Sequence, residues 1–201
     1  MRAVIFVMCL CSLVLALGCG GDGGGPSDTA ASLTASGWAL FEKGQYDQAI
    51  DKFTRALGLD PEYADAYNGL GWTHAKLDSL ANSLENFGMC VTNDPDLTEG
   101  YAGCAPVYRD YETEPAHFDS AIAFASEALS QESTFEFSHD TSFNWRDLRL
   151  IMAQSYYGLG EFLSAKEQVD ALGGHSLDPG SPTFVEELAA EIERLEGLYG
   201  G

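Results

Sequence analysis

The sequence predicts an all-α fold: a solenoid of stacked antiparallel helix hairpins closed by a C-terminal capping helix. Three observations carry this expectation. The dipeptide Gly-Trp occurs at Gly37-Trp38 and returns 34 residues later at Gly71-Trp72. At the same offset Ala49 returns as Ser83, Phe53 as Phe87, Ala56 as Cys90 and Asp60-Pro61 as Asp94-Pro95. A fixed period of this length marks stacked units, none of which buries its apolar face alone. Near the chain end, Phe184, Val185, Leu188, Ala189, Ile192 and Leu195 form one apolar stripe at helical spacing.

In chain order, residues 1–18 stand outside the fold. Arg2 precedes an apolar run from Ala3 to Gly18, which is shorter than the ~20 residues of a membrane-spanning helix. The pattern is that of a signal peptide. Its ending, ALGC, resembles the lipobox of bacterial lipoproteins, in which a small residue precedes a cysteine that becomes lipidated and N-terminal. That resemblance implies a lipid (palmitate or a similar acyl chain) on Cys19, with residues 19–28 as a Gly-rich tether. It also implies a place in the cell envelope, anchored in the outer membrane and facing the periplasm. A plain signal peptide cut near the glycines is the other reading.

The repeats occupy residues 29–173. The second copy reads Tyr67-x₂-Leu70-Gly71-x₂-His74…Ser83-x₃-Phe87…Pro95, and the first Leu33-x₂-Ser36-Gly37-x₂-Leu40…Ala49-x₃-Phe53…Pro61. Both resemble the tetratricopeptide (TPR) family, whose repeat is a pair of antiparallel helices. The repeats fall at about 30–63, 64–97, 98–135 and 146–173. Gly37 with Ala49, and Gly71 with Ser83, are small pairs twelve residues apart where two helices touch. Phe53 and Phe87 fill the space one turn along, while Pro61 and Pro95 end the second helices. Gly44-Gln45-Tyr46, Asp78-Ser79-Leu80 and Gly160-Glu161-Phe162 make the turns within hairpins.

Ala153 and Ala165, again twelve apart, mark the last copy. In the degenerate third copy the pair is Ala105 and Ala121, sixteen apart, with an extra helical turn near Glu112-Thr113-Glu114-Pro115. Pro106 predicts a kink or a late start in its first helix. Between the third and fourth copies, Ser133 to Trp145 carries Phe135, Phe137, Phe143 and Trp145. Such a segment either packs on the solenoid or offers an aromatic contact surface. Residues 174–201 form a turn and the capping helix, with Ser181-Pro182 as its start. Glu186, Glu187, Glu191, Glu193 and Glu196 take its water face.

Acidic residues outnumber basic ones 31 to 10, a net charge of -21, which repels nucleic acid and favours basic partners or cations. His74, His117, His139 and His175 match no metal spacing. No phosphate-binding glycine loop, nucleophile elbow or calcium loop is present. No metal, cofactor or catalytic role is expected, and the chain reads as a non-enzyme. Cys90 and Cys104 lie seven residues either side of Leu97, in the turn between two hairpins. A disulfide and two small buried thiols are both open there.

The TPR resemblance implies that the first helix of each hairpin lines a groove for ligands. Trp38, Phe41, Asn68, Trp72, Lys76 and Arg109 are the candidate groove residues on that reading, with packing between helices the alternative for the indoles. Chaperone-binding members hold a C-terminal carboxylate in a clamp of lysines, arginine and asparagines. Thr34 and Trp38 stand where that clamp has Lys and Asn, which disfavours chaperone-tail capture. The expected function is protein or peptide binding as a lipid-anchored scaffold or adaptor. The alternative is a structural subunit of an envelope assembly machine.

Overall fold

The computed structural model describes residues 28–111 and 115–199. Among them run α1 (Ala30–Phe41), α2 (Tyr46–Leu59), α3 (Ala64–Lys76), α4 (Leu80–Asn93), α5 (Thr98–Tyr111), α6 (Pro115–Gln131), α7 (Trp145–Gly158), α8 (Phe162–Ala171) and α9 (Phe184–Tyr199). Helices pair as α1–α2, α3–α4, α5–α6 and α7–α8, and α9 lies against α7 and α8. The first helices also touch in succession, α1 to α3, α3 to α5 and α5 to α7, so they share one continuous face. This is the all-α solenoid with a C-terminal helix that the period implies. The signal peptide, Cys19 and the tether as far as Ser27 lie outside the described residues, as do Glu112, Thr113 and Glu114 of the expected extra turn.

Local chemistry sets the hairpins. Thr29 and Ser32 form a reciprocal cap at the start of α1, as Asn144 and Asp147 do for α7. Gly44 and Gly160 turn the chain within hairpins at φ of 70° and 77°, where glycine carries no steric penalty. Asp78 makes the equivalent turn at φ 56°, a conformation that aspartate tolerates better than most residues. After α2 and α4, the Asp60 and Asp94 carboxylates each accept a bond from the backbone N–H two residues on, both at 3.1 Å. These side chains reinforce the turns that the following prolines open.

Two phenylalanine wedges fix the stacking. A Cβ added at Gly37 would lie 2.6 Å from the Phe53 ring, and one at Gly69 would also strike it. Gly71 and Gly103 stand in the same relation to Phe87. Each fully buried ring is therefore gripped between glycines of two successive first helices. The small pairs hold as read, since Ala49 and Ser83 are fully buried and the Ser83 hydroxyl donates to the Gly71 carbonyl at 2.8 Å.

One local expectation narrows and another changes. α5 is one helix from Thr98 to Tyr111 with Pro106 inside it, so there is no late start. Proline removes one backbone donor there, and the flanking turns keep the helix going. Glu191, read as water-facing, is only 5% exposed. Its carboxylate accepts bonds from the His175 backbone N–H (2.7 Å), His175 Nδ1 (2.9 Å), Arg194 Nε (2.8 Å) and Arg194 Nη2 (2.6 Å). The chain after α8 passes over this carboxylate at His175.

This carboxylate is a pH-dependent tie. The Arg194 hydrogen bonds, joined by those from His175 and opposed by burial, hold Glu191 down at about 2. A depressed folded pKa gives stability that is present above the ordinary glutamate range and lost as pH falls through about 2. Glu191→Gln should cost about 1–3 kcal/mol at neutral pH. The difference from wild type should then shrink on acidification in thermal melts. A constant difference from pH 7 to pH 2 would count against the tie.

Candidate functional site

Residues 133–145 fold back onto the face made by the first helices. The strap turns on itself: Phe137 N–H donates to the Phe143 carbonyl (3.0 Å) and Trp145 N–H to that of Phe135 (2.8 Å). At its tip the Asp140 carboxylate accepts from the Ser142 hydroxyl at 2.6 Å. Burial pushes the Asp140 pKa up, but the bonds from Ser142 and Lys76 outweigh it and the net direction is down. Phe135 and Phe137 are buried to the degree of any core residue.

The strap's rings cover both tryptophans. His139 stacks on Trp38 with centroids 3.9 Å apart and planes 7° from parallel. Phe137 stacks on Trp72 at 4.1 Å and 17°, while Phe143 meets the same indole edge-on at 5.2 Å. Phe41 adds an edge to Trp38 at 5.5 Å and to Phe137 at 6.1 Å. Trp38 and Trp72 are left 4% and 5% exposed. They lie on the first-helix face and are also packed.

Polar contacts rim the same patch. Lys76 Nζ pairs with Asp140 at 2.9 Å, and His139 Nδ1 lies 2.9 Å from Glu42. Glu99 bridges the layers, accepting from Asn68 Nδ2 (2.8 Å) and from the Ser138 hydroxyl (2.8 Å). Trp38 Nε1 donates to Asp65 at 3.0 Å. Burial nevertheless raises the Asp65 pKa, only partly offset by that indole bond. Among the described residues, three buried polar atoms on α1 and α3 have no hydrogen-bond partner: Thr34 Oγ1, Asn68 Oδ1 and Trp72 Nε1.

Of the sequence candidates, Trp38, Phe41, Asn68, Trp72 and Lys76 thus converge beneath the strap. Arg109 stands apart on α5, bonded to Asp110 (2.7 Å) and Gln154 (2.8 Å). Cys90 and Cys104 are both free and buried. Burial pushes both thiols up, Cys104 to about 12, so neither is a ready nucleophile. Sequence reasoning missed Glu99, His139 and Asp65. The aromatic content of 133–145 was the available signal for His139, whereas nothing local marks the two carboxylates.

Beside the strap the face stays open. One cavity of about 330 Å³ is lined by residues that include Trp72, Ala75, Asp78, Val107 and Phe143. A second of about 290 Å³ includes Arg109, Leu150 and Glu196, and both share Pro106, Phe143 and Asp147. Burial raises the Asp147 pKa against its backbone bonds. Among the described residues no group of three or more His, Cys, Asp or Glu side chains is placed to hold a metal ion. The scaffold has no catalytic cluster there and offers a surface for binding.

Comparison with known proteins agrees with this architecture. Residues 37–78 match the model of the TPR repeat. The heat shock protein sti1 homolog of Schizosaccharomyces pombe is 34% identical over 73 residues, 36% of this chain and 12% of that protein. The Hsp70-Hsp90 organising protein of Plasmodium falciparum is 30% identical over 80 residues, 39% of this chain and 32% of that one. The chain thus spans less than a third of the length of either relative. A thermophilic TPR protein of Thermus thermophilus superposes with a TM-score of 0.57 at 22% identity, covering 85% of this chain and 83% of that structure.

These findings correct the expected localisation. These two relatives are by name a heat shock protein sti1 homolog and an Hsp70-Hsp90 organising protein, not outer-membrane or periplasmic proteins, so the lipid-anchored envelope placement is withdrawn. Among the described residues no helix is long and apolar enough to cross a membrane. From Ala30 to Tyr199 the chain carries the tetratricopeptide-repeat fold, and it is homologous to proteins with tetratricopeptide domains.

Proposed function

We propose that the chain is a protein-binding adaptor that holds a peptide segment of a partner on its first-helix face. The open cleft formed by the two adjoining cavities along α3, α5 and α7 carries this reading. It combines an aromatic and apolar floor (Trp72, Val107, Phe143, Leu150) with the carboxylates of Asp78, Asp110, Asp140 and Asp147. Apolar floors give affinity to peptide recognition, and placed charges give orientation and choice of partner. The -21 charge favours a basic segment.

The organising proteins among its relatives make a co-chaperone-like adaptor the nearest functional class. The residues argue for a different peptide chemistry within it. Thr34 and Trp38, at the carboxylate-clamp positions, are both buried, and the cleft is acidic. An acidic C-terminal tail would meet repulsion there.

Selection of random dodecapeptides on the full-length chain tests the proposal. Basic peptides with an aromatic residue should be enriched, and their affinity should fall with salt. Ala75→Arg places a long side chain in the larger cavity and should weaken the selected peptides by about tenfold or more, with folding intact. No enrichment, or binding indifferent to Ala75→Arg, would reject the reading.

A further inference from the structure

We infer that the strap 133–145 is an internal stand-in for a second peptide, and that the surface beneath it is a binding site that opens when the strap leaves. This rests on the peptide-binding reading above and concerns the adjoining part of the face, which shares Trp72, Lys76, Asp140 and Phe143 with the open cleft. The strap runs Phe137-Ser138-His139-Asp140 across α1 and α3 in the manner of a ligand. Its aromatic ring lies on Trp72, its imidazole on Trp38 beside Glu42, and its carboxylate on Lys76.

The fit is incomplete in an informative way. Trp72 Nε1 and Asn68 Oδ1, both in this patch, have no partner, nor has Thr34 Oγ1 one turn before Trp38 on α1. A buried donor or acceptor without a partner is costly and selects for whatever can satisfy it. An extended peptide offers a carbonyl to an indole N–H and an N–H to an amide oxygen, which the strap does not supply. The strap's tip is held by Lys76–Asp140 and His139–Glu42, both partly exposed, together with Ser138 on Glu99 and the His139 stack on Trp38. Partly exposed ion pairs of this kind contribute little.

Charge names the occupant. The rim and floor carry Glu42, Asp65 and Glu99 against Lys76, yet the strap itself contributes Glu136 and Asp140. A partner segment with the same aromatic residue, and an arginine or lysine two positions later over Trp38, complements the site better than the strap. Its guanidinium or ammonium would stack on the indole and pair with Glu42.

The test uses the full-length chain and a fluorescent synthetic peptide of residues 133–145. The double variant His139→Ala/Asp140→Ala loosens the resident strap and leaves the helical face unchanged. It should bind the peptide about three- to tenfold more tightly than wild type, as loss of two partly exposed pairs and one ring stack implies. A peptide with arginine at the His139 position should bind more tightly still, and one with Phe137→Ser should not bind. Hydrogen exchange on wild type gives a second measure, independent of any variant. The amides of Phe137 and Trp145 should exchange at least about tenfold faster than those of α3. Strap amides as protected as α3, or a peptide that binds neither protein or both alike, would overturn the inference. Ala75→Arg blocks the open cleft, so strap-peptide binding by the double variant should survive that substitution, and either idea can fail alone.

Discussion

Replacing Phe87 with alanine should lower the unfolding free energy by about 3–5 kcal/mol, the range for deleting a fully buried phenylalanine. The ring is wholly enclosed, between Gly71 of α3 and Gly103 of α5, and it meets Trp72 edge-on at 5.5 Å. The helices cannot close over the gap, because their spacing is also set by the small residues around it. Gly103→Ala probes the same contact from the other side. Its new methyl would run into the ring, and overpacking should cost about 1–3 kcal/mol. In the Phe87→Ala background that methyl has room, so Gly103→Ala should there be nearly neutral. Urea denaturation of the two single variants and the double variant measures the coupling. Additive losses would mean that glycine and ring do not share one contact.

The period made half of this contact legible and hid the other half. Gly37 and Gly71 stood out because the motif names that position. Gly69 and Gly103 repeat at the same 34-residue offset, but they face the previous hairpin's ring, a relation between hairpins that a within-repeat pattern does not encode. The strap shows a second limit. Four aromatics in thirteen residues imply burial, yet no period constrains such an insertion, so its place on the first-helix face had to come from the fold. Glu191 shows a third. A helical stripe assigns faces by assuming water opposite the core, and the irregular chain around His175 removes that water.

Trp72→Ala should also cost about 3–5 kcal/mol, but for a composite reason. The indole is a core side chain for α3 and at the same time the platform on which Phe137 and Phe143 of the strap rest. Truncation therefore removes buried area and loosens the strap, so peptide binding at the exposed patch is not cleanly readable in this variant. Trp72→Phe separates the parts. It retains a ring against Phe87 and Phe137 but deletes the indole N–H, which has no hydrogen-bond partner. An unsatisfied buried donor costs about 1–3 kcal/mol, so its removal offsets much of the lost area. The net loss for Trp72→Phe should therefore stay well below that of Trp72→Ala, by about 2 kcal/mol or more. Equilibrium denaturation of the two variants side by side checks the difference. If phenylalanine proves as damaging as alanine, the indole nitrogen is making a bond that matters. The case for an unsatisfied site beneath the strap would then lose one of its three atoms.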